Sequence, residues 1–334
     1  MPELRRDPVT GRWIIIATER RQRPTDFLVE RPSVKSGGFC PLCAGHEQTT
    51  PPEVWACRLG NDQVLNGSGW QVRVIPNKYP ALRIEGGLDK AGDGVYDRMN
   101  GIGAHEVIIE SPNHDDRFAY MPLDKISYVL LAYRDRILDL EKDPRFRHVI
   151  IFKNHGRAAG ASLEHSHSQL IALPVIPQLI GFEMDGAASY YHLRERCIYC
   201  DMITQEVSHG IRVAGQNDDF IVISPYAPRA PLEMWVLPKV HDSAYSRQDG
   251  KSLSSLAAIL SETLRRLDAI IPDVPYNFVL HTSPLRSGGL DHYHWHFEIV
   301  PKLTSIAGFE WGTGFYINPM PPEEAAQYMK EAKL

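Results

Sequence analysis

The chain has 334 residues, 43% of them hydrophobic and 23% charged, and a formal charge of -5. Such a length holds two ordinary domains with a well-buried core, and the composition is that of a soluble globular protein. The acidic balance excludes a dedicated nucleic-acid surface. No apolar run approaches the roughly 18 residues of a membrane span, and "MPELRRDPVTGRW" lacks a secretory leader's apolar segment, so the expected location is the cytoplasm.

From the N-terminus, the first chemically marked stretch is "ATERRQRPTDF", with Arg20, Arg21 and Arg23. Guanidinium forks suit phosphate oxygens, although an exposed basic turn is the commoner meaning of such a stretch. "CPLC" follows, with Cys40 and Cys43. In a reducing compartment a C-x-x-C pair is a metal knuckle or a redox dithiol. A tetrahedral zinc site needs two further ligands, typically histidines. The candidates in this half are His114, His148, His155, His165 and His167. Cys57 stands alone and reads as a small buried hydrophobe. "KAGDGVYDRMNGIG" is rich in glycine but has no phosphate-loop pattern.

"EVIIESPNH" predicts a strand ending near His114, and "LDKISYVLLAYRDRILDLEK" predicts a helix with Ile126, Tyr133, Ile137 and Leu140 on one face. "HVIIFKN" then reads as a buried strand, and "NHGRAAGAS" offers small residues and backbone N–H groups for close phosphate contact. Next comes "HSHSQ". On a strand, residues two apart share a face, so His165, His167 and Gln169 line one surface. One metal could take both histidines, or one could bind metal while its neighbour faces a substrate. A neutral imidazole is a capable nucleophile toward phosphorus, and an amide can donate to a phosphoryl oxygen without adding negative charge. The trio suits phosphoryl or nucleotidyl transfer through a covalent histidine.

The second half repeats the first. Ile126, Tyr133, Ile137 and Leu140 recur as Leu253, Leu260, Leu264 and Leu267 in a second predicted helix, "GKSLSSLAAILSETLRRLDA", each pair 127 residues apart. At the same offset His114 recurs as His241, His165 as His292 and His167 as His294. "CPLC" recurs as "CIYC", Cys197 and Cys200, at a different offset. The pattern predicts an α+β fold: two tandem units, 1–178 and 190–334, of antiparallel sheet packed with helices, joined through residues 175–193. In the second unit Cys197, Cys200 and His241, with His292, His294 and His296 nearby, read as a further metal site. His296 stands where the first copy has Gln169, so this copy reads as structural.

In this order the motifs "DPVTGRWIIIATERRQRP", "FCPLCAG", "ESPNH", "FKNHGRAAGASLEHSHSQ", "LPKVH" and "GFEWGTGFYINP" resemble the galactose-1-phosphate uridylyltransferases, a branch of the histidine-triad superfamily. The resemblance covers nearly the whole chain. It implies two histidine-triad-like units and a homodimer. It also implies a zinc held by Cys40, Cys43, His114 and His165, with His167 as the nucleophile that becomes nucleotidylated and Gln169 holding the transferred phosphoryl group. Arg20, Arg23, Asn77, Asn154 and Ser162 match positions that contact nucleotide or phosphates, and Phe309 and Glu310 fall in the hexose-pocket segment. The implied reaction is ping-pong exchange between a nucleotide sugar and a hexose 1-phosphate, UDP-glucose being the first expectation for the donor.

Two departures stand out. The best-known uridylyltransferases carry H-P-H-G-Q where this chain has H-S-H-S-Q, and a Lys and a Gln of their hexose segment become Thr304 and Tyr316. Both, with the second C-x-x-C, resemble the plant ADP-glucose phosphorylase branch, which uses an adenylyl group and inorganic phosphate. That branch implies a second zinc on Cys197, Cys200, His241 and His294, whereas the internal repeat points to His292 as the fourth ligand. A zinc-stabilised nucleotide-binding protein without turnover is the alternative from another class.

Overall fold

The structure, a computed structural model, describes residues 1–20, 38–60 and 64–334. In chain order its strands and helices are β1 (Glu3–Arg6), β2 (Trp13–Ile16), β3 (Trp55–Arg58), β4 (Trp70–Pro76), β5 (Ala91–Asp93), β6 (Tyr96–Arg98), β7 (Ala104–Ile109), α1 (Leu123–Leu140), β8 (His148–His155) and β9 (His167–Leu173). There follow α2 (Gln178–Arg194), α3 (Ile198–His209), β10 (Val213–Gln216), β11 (Phe220–Ile223), β12 (Met234–Pro238), α4 (Gly250–Ile270), β13 (Tyr276–His281), β14 (His296–Pro301), α5 (Gly308–Thr313), β15 (Tyr316–Asn318) and α6 (Pro322–Glu331).

Ten of these strands form one sheet, ordered β10-β11-β12-β14-β13-β8-β9-β7-β4-β3. All its neighbours pair antiparallel. Counted outward from the middle, the two halves have the same order, and they meet where β8 pairs β13. Phe152 lies opposite Val279 there, and these two residues are 127 apart in sequence. The repeat offset and the strand register therefore place one pseudo-twofold axis through that pair.

The helical stripes explain the packing. Ile126, Val129, Leu130, Tyr133, Ile137 and Leu140 of α1 are buried, as are Leu253, Leu256, Leu260, Leu264 and Leu267 of α4. The two helices pack on each other and cover one face of the sheet, sharing a core with Val74, Ile108, Ile151, Leu170, Phe278 and Phe297. Asp249 caps α4 by accepting from the Ser252 N–H at 2.8 Å. The opposite face carries the half-buried residues of β7, β8 and β9, and the site is built there.

Two local expectations change, and one unassigned stretch gains an element. Residues 175–193, read as a connection, are mostly α2. Their apolar residues show no single stripe, but Ile180, Glu183 and Ala187 are buried, and Gly186 lets the helix approach the N-terminal turn: a Cβ there would lie 1.8 Å from the Val9 carbonyl oxygen. The glycine-rich stretch 90–103 contains the β5–β6 hairpin. Finally, β9 starts at His167, so alternation governs His167 and Gln169 while His165 precedes the strand and is free to turn elsewhere. Among the described residues no helix is long and apolar enough to cross a membrane.

Candidate active site

His165 turns to the cysteine knuckle. Its Nδ1 lies 3.6 Å from both Cys40 Sγ and Cys43 Sγ, and His114 Nδ1 lies 3.5 Å from Cys43 Sγ. The four donor atoms all fall within 4.8 Å of one another. Zinc bonds of about 2.3 Å to sulfur and 2.1 Å to nitrogen give a tetrahedral edge of about 3.6 Å, which these separations match. His165 donates its other ring N–H to the Ser111 carbonyl at 2.8 Å, so Nδ1 is the lone-pair nitrogen, as a metal ligand requires. Ala44 N–H donates to the Pro112 carbonyl at 3.2 Å and ties the knuckle to the segment bearing His114. His46 stays out of the cluster, its ring nitrogen 2.6 Å from the Cys40 carbonyl. Burial and the neighbouring Cys40 push the Cys43 thiol up to about 11, a shift that a bound cation reverses.

His167 opens β9 on the other side. Its Nδ1–H donates to the His165 carbonyl at 2.7 Å, leaving Nε2 with its lone pair free. His167 is 6% exposed, and desolvation holds its pKa below the ordinary histidine value, with Lys153 adding to the effect and the His165 carbonyl opposing it. A neutral imidazole with one fixed tautomer is what in-line attack on phosphorus needs. Gln169 shares this face. Its Oε1 lies 2.9 Å from His105 Nε2; His105 Nδ1 accepts from the Ala81 N–H at 3.1 Å, and the Asn77 amide nitrogen is 3.2 Å from His105 Nε2.

Behind β9 the two serines of "HSHSQ" meet a buried ion pair. Lys153 Nζ donates to Glu110 Oε2 at 2.5 Å, to Ser166 Oγ at 3.1 Å and to the His167 carbonyl at 3.1 Å. Ser166 donates to Glu110 at 2.5 Å, Ser168 donates to its other oxygen, and Tyr133 O–H lies 2.5 Å from Ser168 Oγ. Glu110 and Lys153 are 0% and 2% exposed. Desolvation would raise the Glu110 carboxyl, but Lys153 and the hydroxyls reverse it and hold it low; burial lowers Lys153 against the pull of Glu110.

The remaining expected residues are scattered. Asn154 Oδ1 accepts from Asn277 Nδ2 at 2.8 Å across the central strand pair. Asn154, Thr304, Glu310 and Tyr316 line a cavity of about 490 Å³ on the open sheet face, together with Phe152 and Lys302. Arg20 and Ser162 are exposed, and Phe309 is largely so. Arg23 lies outside the described residues.

In the second unit Cys200 Sγ lies 3.4 Å from His241 Nδ1 and 3.7 Å from His294 Nδ1. Cys197, Cys200, His241 and His294 hold their donor atoms within 4.8 Å of one another. Both histidines have Nε2 against a carbonyl oxygen, of Leu290 at 3.1 Å and of Pro238 at 2.8 Å. His292 is outside this cluster; its ring packs near Tyr191, 6.3 Å between centroids. The hydrogen bond from Cys200 draws the Cys197 thiol down to about 4 and pushes Cys200 up.

A third cluster escaped the sequence reading. Glu183, His281, His296 and Glu298 are buried with donor atoms within 4.8 Å, two carboxylates and two imidazoles that could hold a divalent cation. As it stands it is an ion-pair network. His281 lies between Glu183 at 3.0 Å and Glu298 at 3.4 Å. Desolvation lowers the His281 pKa, but the two carboxylates outweigh it and lift the ring to about 10. Desolvation and the His281 charge push the stacked His296 down to about 4. The repeat could have flagged this cluster, since Glu298 is a buried acid at the position of Ile171 in the first copy.

A family model described as galactose-1-phosphate uridyl transferase, N-terminal domain, matches residues 1–177, and one described as a domain of unknown function (DUF4921) matches 124–333. An ADP-glucose phosphorylase of Arabidopsis thaliana is 36% identical over all of this chain and 93% of its own length. A galactose-1-phosphate uridylyltransferase of Thermotoga maritima is 26% identical over all of this chain and 99% of its own. The crystal structure of an Arabidopsis thaliana ADP-glucose phosphorylase with bound ADP-glucose superposes with a TM-score of 0.84, at 34% identity and covering both chains completely. A uridylyltransferase structure gives 0.78 at 28% identity, over 99% of this chain and 98% of that one.

Proposed function

This chain belongs to the galactose-1-phosphate uridylyltransferase family, a family of nucleotidyltransferases, and on that premise we propose that it is an adenylyltransferase of the ADP-glucose phosphorylase type. The sequence favoured a uridylyl donor; the relatives favour the adenylyl alternative, at 36% identity against 26% over the whole chain. The observation that carries the chemistry is the free Nε2 of His167, held in one tautomer by the His165 carbonyl.

His167 Nε2 attacks the α-phosphorus of ADP-glucose. The bond from that phosphorus to the bridging oxygen breaks, and its electron pair leaves with glucose 1-phosphate. An adenylyl-histidine forms, whose ring charge is met by the Nδ1–H to His165 carbonyl bond. Inorganic phosphate then attacks the same phosphorus, returns the electron pair to Nε2 and leaves as ADP. Covalent catalysis splits one difficult transfer into two, and the Gln169 amide donates to the phosphoryl oxygen on which charge gathers. Asn77 and Asn154, with Arg20, Arg23 and Ser162, take nucleotide and phosphate contacts in this reading; Phe309 and Glu310 take the hexose. Cys40, Cys43, His114 and His165 would hold a zinc, which with four protein ligands would brace the segment before His167 and would not activate water. Cys197, Cys200, His241 and His294 would hold a second metal that would brace the end of β12 and the start of β14, and the working unit in this reading is a homodimer.

Intact-mass measurement tests this. Incubation with ADP-glucose should add an adenylyl group to the wild type and none to His167→Ala, and inorganic phosphate should discharge the adduct as ADP. A uridylyl adduct from UDP-glucose with none from ADP-glucose would replace the adenylyl reading, and no adduct from either would favour the binding protein.

A further inference from the structure

We propose that His105 is a positioning residue that orients the Gln169 amide toward the transferred phosphoryl group. The proposal rests on the nucleotidyl-transfer reading above and adds a residue to it. His105 Nδ1 faces the Ala81 backbone N–H at 3.1 Å. A backbone N–H only donates, so Nδ1 must be the bare nitrogen. The ring proton of a neutral imidazole is then on Nε2, where Gln169 Oε1 waits at 2.9 Å. An imidazolium would set two N–H groups against each other at Ala81.

The consequence for Gln169 is directional. Its two amide ends have similar shape but opposite hydrogen-bonding character. With Oε1 bound to His105, the NH₂ group is the end left for the open face that His167 shares. The reverse flip would aim a carbonyl oxygen at an anionic phosphoryl group. The support for His105 is local: it stands on β7, next to the strand bearing Gln169, and its backbone carbonyl accepts from the Asn77 N–H at 2.7 Å. Asn77 is itself braced, accepting from the Tyr79 N–H at 2.9 Å. His105 thus ties Gln169 and the turn at Ala81 together through its ring, and Asn77 through its backbone carbonyl; the Asn77 Nδ2, 3.2 Å from the protonated Nε2, makes no hydrogen bond to it.

A double-mutant cycle on the full-length protein tests this, with single-turnover formation of the nucleotidyl adduct as readout and ADP-glucose and UDP-glucose as probes. His105→Phe should slow adduct formation about 10- to 100-fold, the scale of a misaligned catalytic donor. KM should stay within about threefold, because the loss falls on the transition state. Gln169→Ala should slow the step as much or more, and the double variant should match Gln169→Ala alone. A full rate in His105→Phe, or losses that multiply in the double variant, would overturn the proposal. A second measurement is independent of turnover: ¹⁵N-histidine NMR of the wild type, with His105→Phe as the assignment control. The neutral Nε2–H tautomer is expected, and an Nδ1–H tautomer or an imidazolium would overturn the proposal. If neither nucleotide sugar labels the wild type, the functional reading fails by that result, and the tautomer still decides the His105–Gln169 bond.

Discussion

Replacing Lys153 with Met should destabilise the protein more than any surface change could. Lys153 Nζ and Glu110 Oε2 are 2.5 Å apart and nearly solvent-free. At an effective dielectric of about 20 their attraction is about 7 kcal/mol, set against several kcal/mol of desolvation for each ion. The net worth of the pair is therefore small, but Lys153→Met leaves a buried carboxylate with only the Ser166 and Ser168 hydroxyls, at a cost of about 3–5 kcal/mol. With a urea slope near 3 kcal/mol/M, the unfolding midpoint should fall by roughly 1–1.7 M. Glu110→Gln combined with Lys153→Met removes both charges and should recover most of that loss. Urea unfolding followed by tryptophan fluorescence reads all the variants. A Lys153→Met loss below about 1 kcal/mol, or a double variant equal to the sum of the singles, would refute the reasoning.

Elemental analysis should find about two zincs per chain, about one in His294→Ala and two in His292→Ala, since only His294 faces the second knuckle; loss of metal from His292→Ala instead would contradict that geometry. His281 titrates near pH 10 folded against about 6.5 unfolded. Its contribution is complete below pH 6.5 and disappears as pH rises through 10, by at most about 5 kcal/mol. Urea midpoints from pH 6.5 to 10 should fall accordingly, and a flat profile would count against a charged His281. Gly186→Ala must displace α2 from Val9, for a loss of about 1–3 kcal/mol; an unchanged Tm would show that the contact yields freely.

What could be read in advance was whatever repeats or stays local. The helices around Ile126 and Leu253, the two cysteine knuckles and the paired histidines follow from spacing alone, because periodicity and a tight loop need no knowledge of the partner strand. What stayed hidden depended on register. His105, Glu110 and Lys153 become partners of β9 only through the antiparallel pairing of β7, β8 and β9. Lys153 did leave a trace, being charged where Val149 and Ile151 of its own strand face the core; such a residue requires a buried partner. Glu183 was lost inside a segment whose apolar residues show no helical stripe. Of His292 and His294, it is His294 that joins the second cluster, the residue at the repeat position of His167 and not of His165, so the repeat alone pointed to the wrong neighbour.

The central seam has a consequence during synthesis. The first five strands of the large sheet all lie within residues 55–173, so they can assemble before the second half exists. Until then β8 is an open edge with unpaired backbone groups, and its partner strand starts 121 residues after His155, at Tyr276. At about 5–20 residues per second the ribosome takes roughly 6–24 s to deliver that partner. For that interval a nascent chain carries an edge shaped, about Phe152, to pair with something very like itself, and β8 of a neighbouring nascent chain qualifies. Polysome crowding should therefore raise misassembly of this protein, and chains arrested near residue 230, with β8 and β9 clear of the ribosome, should cross-link through β8; their failure to do so would show that the edge is covered in another way.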